Sequence, residues 1–293
     1  MEGQLWKAIL TVLSQIDKRR KRAAERFSDE EIVLVFYWAV IHDRPVCWAC
    51  TPENWPLHAR RRSLPSNTTM SRRQRSRHVV ALLNAMERQV TRPAQAGLCW
   101  IIDGKPLMIG GCSKDRQAGY GKAAGCKAKG YKLHAIVAPD SSLAAWRVAP
   151  MNKDERVMAL RLLKSADLQG YIVGDSNYDS NKLHQLCDQL GNRQFVTPRR
   201  YGPNRGIGHR AQSRGRLRSI GLLENPVPLF GQQLMHIRSS IERCFGNATN
   251  WGGGLTHLPP WVRTHRRVRR WVQAKLTLTA LRHAAENTTY VKS

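Results

Sequence analysis

The sequence predicts an α/β protein: a mixed five-stranded sheet flanked by helices, behind an N-terminal helical region. Two observations carry this. Apolar residues recur at helical spacing as far as about residue 92, and thereafter collect into short strand-length runs. From residue 99 those runs alternate with helical stretches in the order three strands, helix, strand, helix, strand, loop, helix, which is the sequence form of a sheet with helices packed on it. An apolar content of 42% over 293 residues supports a sizeable core and excludes wholesale disorder.

The elements follow in chain order. Leu5, Ile9, Leu10 and Leu13 fall at helical spacing, and the basic run Lys18 to Arg22 comes next. Ser28 begins a second helix, because Glu31 three residues later completes a capping box. The run from Ile32 to Ile41 is apolar nearly all round, as suits a buried helix. Pro45, Pro52, Pro56 and Pro65 mark a loop-rich stretch. Residues 64–77, rich in Ser, Thr and Arg, lead into Val79, Leu82, Leu83 and Met86 on one helical face. A recognition helix has this form, with Arg72, Arg73 and Arg75 at the entrance to meet phosphates; an ordinary solvated basic helix has it too. Residues 93–97 read as a linker, so the expected division is 1–95, a helical region suited to DNA binding, and 96–290, the sheet-and-helix region.

In the second region strands are expected at 99–103, 131–138, 143–149, 171–175 and 193–197, and helices at 152–166, 179–190 and 233–246. Between the last strand and last helix, residues 198–218 hold seven Arg, Arg199, Arg200, Arg205 and Arg210 among them, with four Gly and no acid. That composition predicts a loop that orders on nucleic acid. Near the C-terminus Arg263, Arg266, Arg267 and Arg270 are expected on one face of a helix, suited to a DNA backbone.

The whole chain carries 48 Lys and Arg against 21 Asp and Glu, a net +27. Such an excess is usually matched by a polyanion, most often nucleic acid. Seven scattered Cys, an odd number, argue against a disulfide framework, and the lone Cys47–Cys50 pair is a weak zinc signal. No apolar run reaches membrane-spanning length and no signal peptide is evident, so the expected location is the cytoplasm.

Within this basic chain three acids stand out. Asp103 ends the run Cys99 to Ile102, Asp175 ends Tyr171 to Gly174, and Glu242 lies on a helix whose stripe is Leu234, Ile237, Ile241 and Phe245. Arg238 and Glu242, four apart, share the neighbouring ridge. Each acid alone has an ordinary reading: turn chemistry for the aspartates and a surface ion pair for Glu242. Together they suit hard divalent cations such as Mg2+, which take a few carboxylates beside a phosphate and in pairs activate the nucleophile and leaving oxygen.

With these residues in view, the chain resembles the DDE transposases of bacterial insertion sequences, whose catalytic domain has the RNase H-like fold. The matching pieces are Ile102-Asp103-Gly104-Lys105-Pro106, Gly130 to His134, Gly174 to Ser180, and Arg238 to Gly246, in family order over roughly two-thirds of the chain. The resemblance implies that Asp103, Asp175 and Glu242 bind two Mg2+ or Mn2+ ions, with Arg238 in support. It implies hydrolysis at element ends and strand transfer into target DNA, by a homodimer acting near the bacterial nucleoid. The chain departs from related sequences at Met235, where a Tyr is common, and at Thr249, where a Lys is common, leaving end-DNA contacts to residues such as Arg243. The long all-β insertion of some relatives is absent from the pattern. A non-catalytic, domesticated DNA-binding protein and an endonuclease of the same fold are the alternatives.

Overall fold

The computed structural model describes residues 2–21, 23–59, 63–91, 97–123, 125–201, 211–225, 229–250, 255 and 257–290. The chain divides into two compact units, 1–91 with 247–293, and 92–246.

The first unit is built of helices. In α1 (Glu2–Ser14), Leu5, Ile9 and Leu13 are buried as their spacing predicts, joined by Trp6 and Val12, whereas Leu10 is exposed. The expected capping box starts α2 (Asp29–Ile41): the Glu31 amide donates to Ser28 Oγ at 3.1 Å, and the Ser28 amide donates to Glu31 Oε2 at 2.7 Å. Every residue from Ile32 to Val40 is buried, so α2 is the unit's central rod. After the single turn α3 (Val46–Ala49), residues 64–86 differ from the expected helix. Ser66 caps a short α4 (Asn67–Arg73), and a turn separates it from α5 (Arg77–Thr91), whose Val79, Leu82, Leu83 and Met86 are buried as the pattern requires. The Ser, Thr and Arg cluster therefore belongs to a helix of its own.

A long C-terminal helix, α11 (His265–Tyr290), packs on α5, α2 and α1 within this unit, although the sequence groups it with the catalytic region. Its Lys275 is fully buried, donates to the Val40 carbonyl at 3.0 Å and pairs with Asp43 at 2.7 Å; burial lowers its pKa. Gln273 reaches Asn84 and Glu87 on α5 at 2.8 and 2.6 Å. These long-range partners, invisible to local periodicity, fix the placement of α11.

The second unit holds one mixed sheet of six strands flanked by helices. The strands are β1 (Cys99–Met108), β2 (Gly119–Ala123), β3 (Cys126–Val137), β4 (Leu143–Pro150), β5 (Gly170–Val173) and β6 (Arg193–Val196). The count is one more than expected: β2 reads Gly-Tyr-Gly-Lys-Ala, with none of the apolar alternation that reveals a strand. β1 lies centrally, antiparallel to β3 and parallel to β5, which is itself parallel to β6. On its other edge β3 pairs with β2 over 126–130 and β4 over 131–137.

Both faces of the sheet are covered, which is why β1 opens as an unbroken apolar run. Trp100 and Ile102 point to one face, packed with Ala159, Leu162 and Leu163 of α6 (Glu155–Ser165) and Leu183, Leu186 and Cys187 of α7 (Asn181–Leu190). Ile101, Ala135 and Val137 point to the other, beneath Ile241. Gly170 enters β5 at φ +84°, where an added Cβ would stand 2.2 Å from the Leu98 carbonyl oxygen. Glycine is required there on both counts.

Two segments correct the sequence reading. Residues 198–218 are not one continuous loop: Ser213 caps α8 (Arg214–Glu224), and Arg216 and Arg218 of that helix pair with Asp179 and Asp188. The acids that hold this basic stretch are distant in sequence, so its composition gave no sign of them. Residues 202–210, with Arg205 and Arg210, lie outside the described residues, as does most of the expected linker. The expected helix 233–246 is divided at Ser239 into α9 (Leu229–Arg238) and α10 (Ser240–Asn250).

Candidate active site

The parallel pairing of β1 and β5 builds the site. Ile101 is opposite Val173, the last residue of β5, so two residues further along each chain Asp175 lies just past the end of β5 while Asp103 lies within β1, which runs on to Met108 instead of ending at 103 as expected; neighbouring strands in a sheet are about 4.8 Å apart. Asp103 is half-buried on the face of Ile101, and its Oδ1 accepts the Gly104 amide at 2.7 Å. Asp175 caps a 3-10 turn (Ser176–Tyr178), accepting the Asn177 amide at 2.9 Å and the Asn177 side-chain amide at 3.1 Å.

Burial pushes the Asp103 carboxyl up to about 6, the nearby charges of Asp175 and Glu155 push in the same direction, and the Gly104 amide and Arg238 oppose them. Asp103 is thus a partly buried carboxyl with the negative charge of Asp175 and Glu155 acting on it, an environment that favours a bound cation. Arg238, at the end of α9, is the predicted site residue whose charge does reach Asp103.

Glu242 is placed differently. It is exposed in the first turn of α10, next to Ile241, which packs on Ile101, Ala135 and Val137. Glu242 therefore lies on a helix covering the face to which Asp103 points, but among the described residues no three His, Cys, Asp or Glu stand close enough together to hold a metal ion. The turn at Ser239 ends the regular i to i+4 relation of Arg238 and Glu242 that one continuous helix would give.

The predicted DNA-contacting arginines divide by what they touch. Arg72, Arg75, Arg200, Arg243, Arg266 and Arg267 are exposed. Arg73 donates to Asp29 Oδ1 and the Phe27 carbonyl, each at 2.7 Å, and Arg199 pairs with Glu224. Arg263 precedes α11 and donates to the Pro259 and Val262 carbonyls at 2.6 and 2.9 Å, because Thr264 at φ +71° breaks the helix that was expected to carry it. Arg270 is half-buried and donates to the Gln74 carbonyl.

Residues 96–279, more than half of the chain, match the family described as Transposase DDE domain. The chain belongs to this family of DDE transposases. No curated protein matches. Among solved structures, a chain from a piggyBac transposase synaptic complex with hairpin DNA aligns at 12% identity and a TM-score of 0.35, over 69% of this chain and 49% of that one. This chain thus spans about half the length of that one.

Several residues of this DDE transposase chain surround the aspartates without having been singled out by sequence. Glu155 starts α6 beside its N-cap Asp154, pairs with Lys132 of β3, and adds charge near Asp103. Gly104 makes room for Lys132, since a Cβ there would lie 2.8 Å from Lys132 Cδ. The Tyr178 hydroxyl is buried without a hydrogen-bond partner among the described residues; burial first, then Glu155, Asp103 and Asp175, raises its pKa well above a normal phenol. His134 is also buried and unpartnered, and burial followed by Lys132 lowers its pKa to about 4, so it is neutral near pH 7. A Glu in a helix's first turn and a His in a strand are ordinary in sequence, and no local signal would have found either. Among the described residues no helix is long and apolar enough to cross a membrane.

Proposed function

We propose that this chain is a DNA transposase that hydrolyses phosphodiesters at the ends of a mobile element and joins the freed 3′ ends to target DNA. The proposed catalytic unit is RNase H-like, with Asp103, Asp175 and Glu242 holding two Mg2+ or Mn2+ ions and Arg238 supporting them. The observation that supports this reading is that Asp103, two residues past the Ile101–Val173 pair, has the charge of Asp175 acting on it, with its pKa raised to about 6 by burial and by its neighbours. This donor set is all oxygen and short of positive charge, which fits a hard divalent cation. When bound, such ions activate the attacking hydroxyl and neutralise charge on the phosphate and leaving oxygen.

The chain's own residues have separate tasks in this reading. The Gly104 amide orients Asp103, the Asn177 amide and side chain orient Asp175, and Arg238 offsets part of the negative charge. Glu242 supplies the third carboxylate, which requires α10 to move its first turn toward the strand ends. The exposed Arg72, Arg75, Arg200, Arg243, Arg266 and Arg267, with Arg205 and Arg210, meet the phosphates of element-end and target DNA. A homodimer would hold two inverted-repeat ends for joining, in the cytoplasm of a bacterium carrying the insertion sequence.

The alternatives are a non-catalytic DNA-binding protein and an endonuclease of the same fold that does not join strands. One assay separates all three: protein, Mg2+, labelled DNA carrying the inverted repeats that flank the reading frame, and a target plasmid. Joined products that vanish in Asp103→Asn while DNA binding persists support the transposase. Cleavage without joining identifies the endonuclease, and binding without cleavage the non-catalytic protein.

A further inference from the structure

The first unit contains a cavity of about 250 Å3 between α2, α4 and the start of α11. Phe36, Val46, Trp261 and Trp271 supply apolar walls, and Arg75, Arg266 and Arg267 stand at its exposed rim. No acid among the described residues lines it. Arg75 donates to the Ser71 carbonyl and Oγ, each at 3.0 Å, and two other donors of the lining lack acceptors. The indole Nε1 of Trp261 and the side-chain Nε2 of Gln74 are shielded from solvent and have no hydrogen-bond partner among the described residues. Arg270 is half-buried against the Gln74 carbonyl with Arg266 and Arg269 as its charged neighbours; burial, then those two charges, holds its pKa down at about 10.

Buried donors without acceptors cost free energy unless a ligand completes them, and clustered guanidinium groups without a carboxylate call for an anion. The ligand must therefore present acceptors on a flat apolar body and carry a negative charge at one end. A nucleotide has that composition: ring nitrogens and carbonyls on an aromatic base, joined to a phosphate. The volume is just below the ~300–1,000 Å3 of common small-molecule pockets, which suits one base and excludes a base pair. A base within an intact duplex is stacked and paired, and a phosphate passing over the rim would not reach Trp261 Nε1. An acidic peptide would satisfy the rim but leave the aromatic walls without a flat partner.

We infer that this cavity binds a single unpaired nucleotide of DNA, its base against Trp261 and the apolar walls and its phosphate on Arg266, Arg267 and Arg75. The inference rests on the proposed DNA transposase function and deepens it by naming the DNA form that the helical unit takes. Stacking of a base on an aromatic side chain typically contributes ~1–3 kcal/mol.

The test uses the full chain and fluorescent duplexes of one length and sequence, blunt or carrying a single unpaired nucleotide, with binding followed by anisotropy at fixed salt. The expected result is about tenfold tighter binding of the unpaired form. Trp261→Leu should bring that ratio to about 1 with little change for the blunt duplex. A variant-free readout checks this: Cys47 lines the cavity and is exposed, so the unpaired form should slow its alkylation more than the blunt form does, while exposed Cys112 and Cys126 serve as references. Equal affinity for the two duplexes, a ratio unchanged in Trp261→Leu, equal Cys47 protection, or displacement by inorganic phosphate or a poly-glutamate peptide as effective as by a mononucleotide would each overturn the inference. Strand joining in the assay above stands or falls with Asp103, so loss of this preference with joining intact refutes the pocket alone.

Discussion

Asp103→Asn should stabilise the protein at neutral pH, although it removes a proposed catalytic group. The Asp103 carboxyl rises from 3.8 to about 6 in the folded chain. Between those values the native state keeps a proton that the unfolded chain releases, so stability falls as pH rises through the window. About two pKa units at 1.36 kcal/mol each give close to 3 kcal/mol, an upper figure because Asp103 is only partly shielded from water. Asparagine has the same shape, keeps an oxygen to accept the Gly104 amide, and carries no charge to bury. In chelator, urea denaturation at pH 8 should find the variant more stable by about 2 kcal/mol. The difference should shrink through pH 6 to 4 and close below pH 4, where wild-type Asp103 is protonated in both states. Adding Mg2+ at pH 8 should stabilise wild type and leave the variant unmoved, as expected for a ligand that binds the native site. A variant less stable than wild type at pH 8, or an advantage independent of pH, would refute the claim that burial and Asp175 strain this carboxylate.

Two further outcomes follow from the packing. Arg216→Ala removes the partner of Asp179, whose side chain is 5% exposed and whose pKa burial would raise, but which Arg216 and the Arg200 amide hold below the usual range. The loss should be about 3 kcal/mol at pH 7, measured by denaturation, and should diminish as pH falls below about 4, since a depressed carboxyl contributes stability only above its unfolded pKa. Gly170→Ala places a methyl group 2.2 Å from the Leu98 carbonyl at φ +84°, and should destabilise by more than the ~1–2 kcal/mol of the left-handed backbone alone, visible as a lower melting temperature.

The correspondence between sequence and structure follows the range of the interactions involved. The capping box of Ser28 and Glu31, the burial of Leu5, Ile9 and Leu13 in α1 and the apolar run that opens β1 depend on residues within a few positions of each other, and these were legible. β2 was missed because its Gly-Tyr-Gly-Lys-Ala pairs by backbone with β3 and contributes little apolar burial of its own. α8 was mistaken for loop because Asp179 and Asp188, the acids that hold its arginines, come from elsewhere in the chain. At the site, an Asp beside Gly after an apolar run is a local pattern, so Asp103 and Asp175 could be named. That Glu155, Lys132 and Tyr178 stand near those carboxylates could not be read, since only the packing of α6 and the 3-10 turn brings them there.

By itself the sequence determined the switch from helices to a mixed sheet, the excess of positive charge, and the two aspartates that follow the apolar runs 99–102 and 171–174. Periodicity and charge are properties of neighbours along the chain, and they survive without a fold. Tertiary structure alone decided that α11 packs with the N-terminal helices, that Arg73 and Arg216 hold largely buried carboxylates while Arg199 pairs with the exposed Glu224, and that burial raises the Asp103 carboxyl to about 6. Those outcomes depend on burial and on charges brought together through space, quantities that do not exist until the chain has folded.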